Sequence, residues 1–132
     1  MRISRGAVSA SRIGQPGDPG QVSRTIAVTS DNVRFTPDRI EVPMRETIRF
    51  AVQNEGRLRH ELVLGEPEAL RRHAAMMQMM PDMQHSGPNM ASLAPGERGQ
   101  LVWKFTRAGT VTFACLQSGH LEAGMKGAVA VQ

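Results

Sequence analysis

Thr110-Val-Thr-Phe-Ala-Cys115-Leu-Gln-Ser-Gly-His120-Leu-Glu-Ala-Gly-Met125-Lys-Gly-Ala-Val-Ala-Val131 reads as two short β-type apolar runs joined by a loop that carries a thiol, an imidazole and a thioether. Four residues separate Cys115 from His120, and four more separate His120 from Met125. Cys115 is the only cysteine, so it has no disulfide partner within the chain and is a buried apolar filler, a reactive thiol or a metal ligand. Its neighbours favour the ligand, because core packing gives no reason to set His120 beside Gly119 in a loop. One thiolate, two imidazoles and a weak axial thioether suit type 1 copper: soft sulfur matches Cu(I), and imidazole matches both oxidation states. Zinc is the weaker reading, since structural zinc usually takes several cysteines and catalytic zinc takes three N or O ligands with water.

Such a site needs a second histidine from another strand. His60 is the best candidate, in Asn54-Glu-Gly-Arg-Leu-Arg-His60-Glu61-Leu-Val-Leu64, where a polar turn runs into an apolar stretch. The bland alternatives are a surface histidine after Arg57-Leu-Arg59 and, for Met125, an ordinary core methionine. Further strands are expected at residues 24–29, 39–42, 46–53, 61–64 and 99–105, broken by Pro, Gly or Asn turns. In the third of these Ile48, Phe50 and Val52 should face in, while Thr47, Arg49 and Gln53 face out. About seven short strands imply an all-β fold, a two-sheet antiparallel Greek-key sandwich with one short helical insertion.

The pattern resembles the cupredoxin family over about residues 24 to 132. Besides the four donors, the resemblance rests on Phe35-Thr-Pro-Asp-Arg-Ile-Glu-Val42, the Asn54-x-Gly56 turn, Leu93-Ala-Pro-Gly-Glu97, Ala108-Gly109 and Gly124-Met125-Lys-Gly127. It implies one type 1 copper held by His60, Cys115, His120 and Met125, with Gly124 and Gly127 letting the loop close over the metal. It further implies that Asn54 ties the two ligand-bearing segments together and that Glu61 lies in the outer shell. Many relatives with this loop length carry Pro-Gly-His, where this chain has Ser118-Gly119-His120. Ser118 restores a donor that proline lacks, which bears on the reduction potential. The function implied is one-electron transfer without catalysis. The partner would be a redox protein docking near His120 on Leu116, Leu121, Ala123 and the helix. Copper resistance or delivery through the same site is the rival reading. The family also implies a periplasmic or otherwise exported protein, taken as a monomer.

The bulk properties fit a single domain. A chain of 132 residues buries about two-thirds of its unfolded surface. No run of about 18 apolar residues is present, so no membrane span is expected. Residues 1–23, rich in Ser, Gly, Pro and Arg, read as a disordered leader whose charged start lacks the apolar segment of a secretory signal. Four arginines (Arg2, Arg5, Arg12, Arg24) against Asp18 place +3 of the formal charge of +4 in residues 1–24. The rest is nearly neutral and poor in aromatics, which argues against nucleic acid.

Residues of about 66–90 form a methionine-rich insertion. Pro67 to Met80 predicts one helix stopped at Pro81, with Leu70, His73, Met77 and Met80 on one face against the sandwich near the metal, and residues 82–90 as loop. His73, Met76, Met77, Met79, Met80, Met83, His85 and Met90 are candidates for a second soft-metal site holding additional Cu(I). Packing and docking are the competing explanation for the same methionines.

Overall fold

The computed structural model describes residues 13–31, 33–80, 86–117 and 119–132. Among the described residues, ten strands and one α-helix follow one another as β1 (Gln15–Pro16), β2 (Arg24–Asp31), β3 (Arg34–Thr36), β4 (Arg39–Val42), β5 (Thr47–Asn54), β6 (His60–Gly65), α1 (Pro67–Met79), β7 (Met90–Leu93), β8 (Arg98–Lys104), β9 (Gly109–Ala114) and β10 (Lys126–Val131). They form two five-stranded sheets, ordered β1-β8-β5-β2-β3 and β4-β10-β9-β6-β7. This is the two-sheet sandwich expected from the alternating strands. Most neighbours are antiparallel, but β2 pairs with β5, and β4 with β10, in parallel.

Period-two alternation decides which side chains fill the space between the sheets. Ile48, Phe50 and Val52 of β5 meet Val111 and Phe113 of β9 and Val129 and Val131 of β10 in one buried cluster. Two edge-on aromatic pairs lie within it: Phe35 with Phe113 at 5.3 Å between ring centroids, and Phe50 with Phe105 at 6.1 Å. Every residue of β6 is buried, because both of its faces are covered. His60, Leu62 and Leu64 point between the sheets, whereas Val63 points outward and packs under α1 with Ala114 and Leu116.

The helix buries Leu70, Ala74 and Met77. This corrects the expected face: His73 is only half-buried and Met80, which caps the helix, is 50% exposed. Met90 belongs to strand β7 rather than to a loop, paired with Val63 on β6. Its short four-residue run was masked in the sequence by the polar stretch before it.

The ordered domain also begins earlier than residue 24. Ile13 is buried, Gln15 and Pro16 pair with Lys104 and Trp103 on β8, and the Trp103 indole N–H donates to the Ile13 carbonyl at 2.8 Å. Burying the whole Trp103 ring demands an acceptor for its N–H, and residue 13 supplies it. The same segment covers Thr47, which is buried at the mouth of β5 instead of facing water. Gly17 lies so close that a Cβ there would come within 2.6 Å of the Thr47 methyl. The part of the expected leader that precedes residue 13 lies outside the described residues.

Candidate metal centre

Two neighbouring strands bring the donors together. β6 and β9 are antiparallel, with Val63 opposite Ala114, so the first residue of β6 sits beside the chain leaving β9. His60 is in phase with Leu62 and Leu64, and Cys115 with Val111 and Phe113, so both point inward at one end of the sandwich. Met125 precedes β10 in phase with Val129 and Val131 and is completely buried in the same cluster as Cys115.

The loop from Cys115 to Met125 is held by its own backbone. The Cys115 N–H donates to the Met125 carbonyl at 3.1 Å, and the Met125 N–H donates to the His120 carbonyl at 3.0 Å. Tight turns between these bonds use left-handed backbone at Gly119 (φ 85°) and Gly124 (φ 96°), which glycine adopts without strain. Gly127 serves differently. It faces Phe113 across the β9–β10 pair, and a Cβ there would run into the Phe113 ring and lie 2.6 Å from the Asp38 carbonyl.

His60 Nδ1 lies 3.8 Å and His120 Nδ1 3.2 Å from Cys115 Sγ, and all three donor atoms fall within 4.8 Å of one another. Ligands at about 2.0–2.3 Å from a common ion in a trigonal plane would stand roughly 3.5–4 Å apart, so one metal ion fits between them. The two imidazole rings tilt at 51° with centroids 5.1 Å apart. His60 and Cys115 are sealed from solvent, while His120 is partly open to it. Burial pushes the Cys115 thiol up to about 11, against the opposing pull of backbone N–H groups of Glu61 and Gln117. Burial also lowers the pKa of both histidines, and for His60 the neighbouring His120 adds to the effect. The imidazoles are thus kept neutral, as metal ligands must be.

Around these donors, the Glu61 N–H donates to Cys115 Sγ at 3.3 Å, and Gln117 Nε2 donates to Glu61 Oε2 at 3.1 Å. Gln117, not singled out in the sequence, therefore links the ligand loop to β6. Its only sequence signal was its place two residues after Cys115. Asn54 Nδ2 donates to the carbonyls of Leu58 and Leu93, and Asn54 Oδ1 accepts from the Gly56 N–H. These bonds brace the turn leading to His60 against β7. Ser118 lies outside the described residues, as do Met83 and His85. Of the remaining methionines in the insertion, Met77 is buried, Met90 packs beside it, and Met76, Met79 and Met80 are exposed. Leu116 is fully buried beneath α1 and so forms no part of a docking patch.

The sequence pattern of copper binding proteins of the plastocyanin/azurin family matches residues 22–132. The chain belongs to that family. Copper is therefore the metal that His60, Cys115 and His120 serve, and their geometry is that of a type 1 site. This cupredoxin is 49% identical over 120 residues to the copper-resistant cuproprotein CopI of Rubrivivax gelatinosus, across 90% of this chain and 73% of that one. It is 34% identical to the copper-resistant cuproprotein CopI of Pseudomonas aeruginosa, across 90% and 82% of the two chains. Among solved structures, auracyanin B superposes with a TM-score of 0.75 at 23% identity, covering 89% of this chain and 94% of that chain. The reduced auracyanin of Roseiflexus castenholzii gives 0.71 at 21%, covering 84% and 98%. At those identities the likeness speaks for the fold.

Proposed function

We propose that this cupredoxin acts in copper resistance, and that His60, Cys115, His120 and Met125 would hold one copper. The observation that carries the site is the convergence of two Nδ1 atoms on one buried thiol. The role in resistance is supported by the names of the relatives that are 49% and 34% identical over 90% of the chain. Copper, when bound, supplies a one-electron couple between Cu(II) and Cu(I).

The chain's own residues do the rest. Cys115 would hold the copper as a thiolate, its proton passing to solvent as the metal binds, and the Glu61 N–H would then donate to a negative sulfur, where it is strongest. The web of backbone bonds between Cys115 and Met125 holds the donors in one arrangement whichever charge the centre carries. Sealing His60, Cys115 and Met125 from water keeps competing ligands out. All four donors are side chains of the protein, which supports a binding and electron-exchange role over catalysis.

Electron transfer to a protein partner is the second reading, favoured by the partial exposure of His120 beside otherwise sealed donors. A partner would dock around His120 and the half-buried Leu121. We place the protein in the periplasm or another exported location, the setting implied by its family. No helix among the described residues is long and apolar enough to cross a membrane.

The test joins a spectrum to a phenotype. Cu(II)-loaded protein should show an intense thiolate-to-copper band in the visible, absent from Cys115→Ser. Expression of the wild type, but not of Cys115→Ser, should restore growth of a copper-sensitive bacterium in elevated copper. A colourless holo-protein would overturn the site; a blue protein that gives no protection would leave electron transfer as the role.

A further inference from the structure

We propose that Met76, Met79 and Met80 form a second, surface site for a soft monovalent cation, Cu(I) or Ag(I), at the C-terminal end of α1. The proposal goes beyond the buried centre and holds whichever role that centre plays.

The helix divides its methionines into two kinds. Met77 is 3% exposed and fills the contact between α1 and the sheet, with Leu70 and Ala74. Met76, Met79 and Met80 are 42%, 82% and 50% exposed. Three large apolar side chains left in water within one helical turn are unfavourable as packing, so packing does not account for them. Their spacing accounts for them as ligands. Met79 stands three residues after Met76, a separation that brings side chains together on one helix face about 5–6 Å apart at Cβ, and Met80 follows directly as the C-cap. The Met80 N–H donates to the Met76 carbonyl at 3.0 Å, closing the last turn and holding the Met80 backbone against that of Met76. Each thioether sits on a flexible unbranched stem, so three sulfurs can converge on one ion.

Electrostatics favour a cation at this end. The C-terminus of a helix carries partial negative charge on carbonyls that lack intrahelical partners. No basic side chain lies in the last turn of α1 to offset it, whereas Glu68 sits in the first turn where its sign suits the dipole. A soft +1 ion would be met by three neutral sulfurs and the negative end of the helix. Thioethers need no deprotonation, so uptake should not depend on pH over the range where the fold is intact.

The experiment uses reduced protein already carrying one equivalent of copper. A second equivalent of Cu(I) is titrated anaerobically against a chromophoric Cu(I) chelator, while methyl resonances of the methionines are followed by NMR. We expect a second equivalent to bind, with the Met76, Met79 and Met80 methyls shifting and Met77 unmoved. The triple variant Met76→Leu/Met79→Leu/Met80→Leu should weaken the second equivalent at least tenfold and leave the first equivalent and the Cu(II) visible band unchanged. Cys115→Ser should do the reverse, which separates failure of the buried centre from failure of this one. Saturation of the wild type at one equivalent, or a second equivalent unaffected by the triple variant, would overturn the proposal.

Discussion

The backbone N–H of Glu61 donates to Cys115 Sγ across 3.3 Å, so the residue that follows the first histidine on β6 holds the thiol that follows β9. The Glu61 carboxylate in turn accepts from Gln117, and the two bonds fasten strand to ligand loop. Cutting the second bond should loosen the loop without touching a donor. Gln117→Leu is expected to weaken copper binding roughly tenfold, the low end for groups that orient ligands, measured by chelator competition. Unchanged affinity would mean that the backbone web suffices.

The metal-free protein should be most stable in a window bounded by its donors. The folded thiol keeps its proton up to about 11, against an ordinary value of 9.0, so its contribution is present below pH 9 and lost as pH rises through 11. A shift of that size corresponds to about 3 kcal/mol. Both histidines are held below 6.5, so their contribution is present above that value and lost as pH falls through their depressed pKa values. Urea midpoints of apo-protein should therefore plateau between about pH 6.5 and 9 and fall on either side. In Cys115→Ser the alkaline fall should shrink.

Gly127→Ala should destabilise the fold by about 1–3 kcal/mol, the usual cost of forcing an atom into a filled core. Its Cβ would meet the Phe113 ring and the Asp38 carbonyl, which belongs to the chain entering β4. Thermal unfolding of apo-protein measures this directly. Gly96→Ala is the contrast: a Cβ there meets nothing within 4 Å, so any cost comes from its φ of 83° alone.

Removing residues 1–16 should cost at least about 1–3 kcal/mol, because it strands the buried Trp103 N–H that now donates to Ile13. Denaturant unfolding of the shortened chain is the measurement. A midpoint equal to that of the full chain would show that water replaces the lost acceptor.

Copper should raise the melting temperature in proportion to its affinity, since only the folded chain brings His60, Cys115 and His120 within 4.8 Å. At a hundredfold excess over Kd the gain is about 2.7 kcal/mol. Calorimetry with and without Cu(II) checks it, and Cys115→Ser should lose most of the gain.

Cys115, His120 and His60, which the fold brings together, were legible because each stands out against its local pattern: a lone thiol, an imidazole among loop glycines, a histidine where a polar turn enters an apolar run. The two-sheet sandwich was legible from alternation, which marks one face of each strand for burial. Less could be read of the connections. Met90–Leu93 is too short to show a period, and the N-terminal segment carries no pattern at all, since what orders it, pairing with β8 and the indole N–H of Trp103, lies about ninety residues away.

By itself, then, the order of residues determined the donor chemistry and the facing of the long strands, because both depend on side-chain type at short spacing. Tertiary structure alone decided that Gln117 braces the site, that Asn54 bonds to Leu93 and the turn before His60, and that Met77 is packing while Met76, Met79 and Met80 face water. Those relations join residues far apart in the chain or depend on which helix face meets the sheet. Only closing the sandwich fixes them.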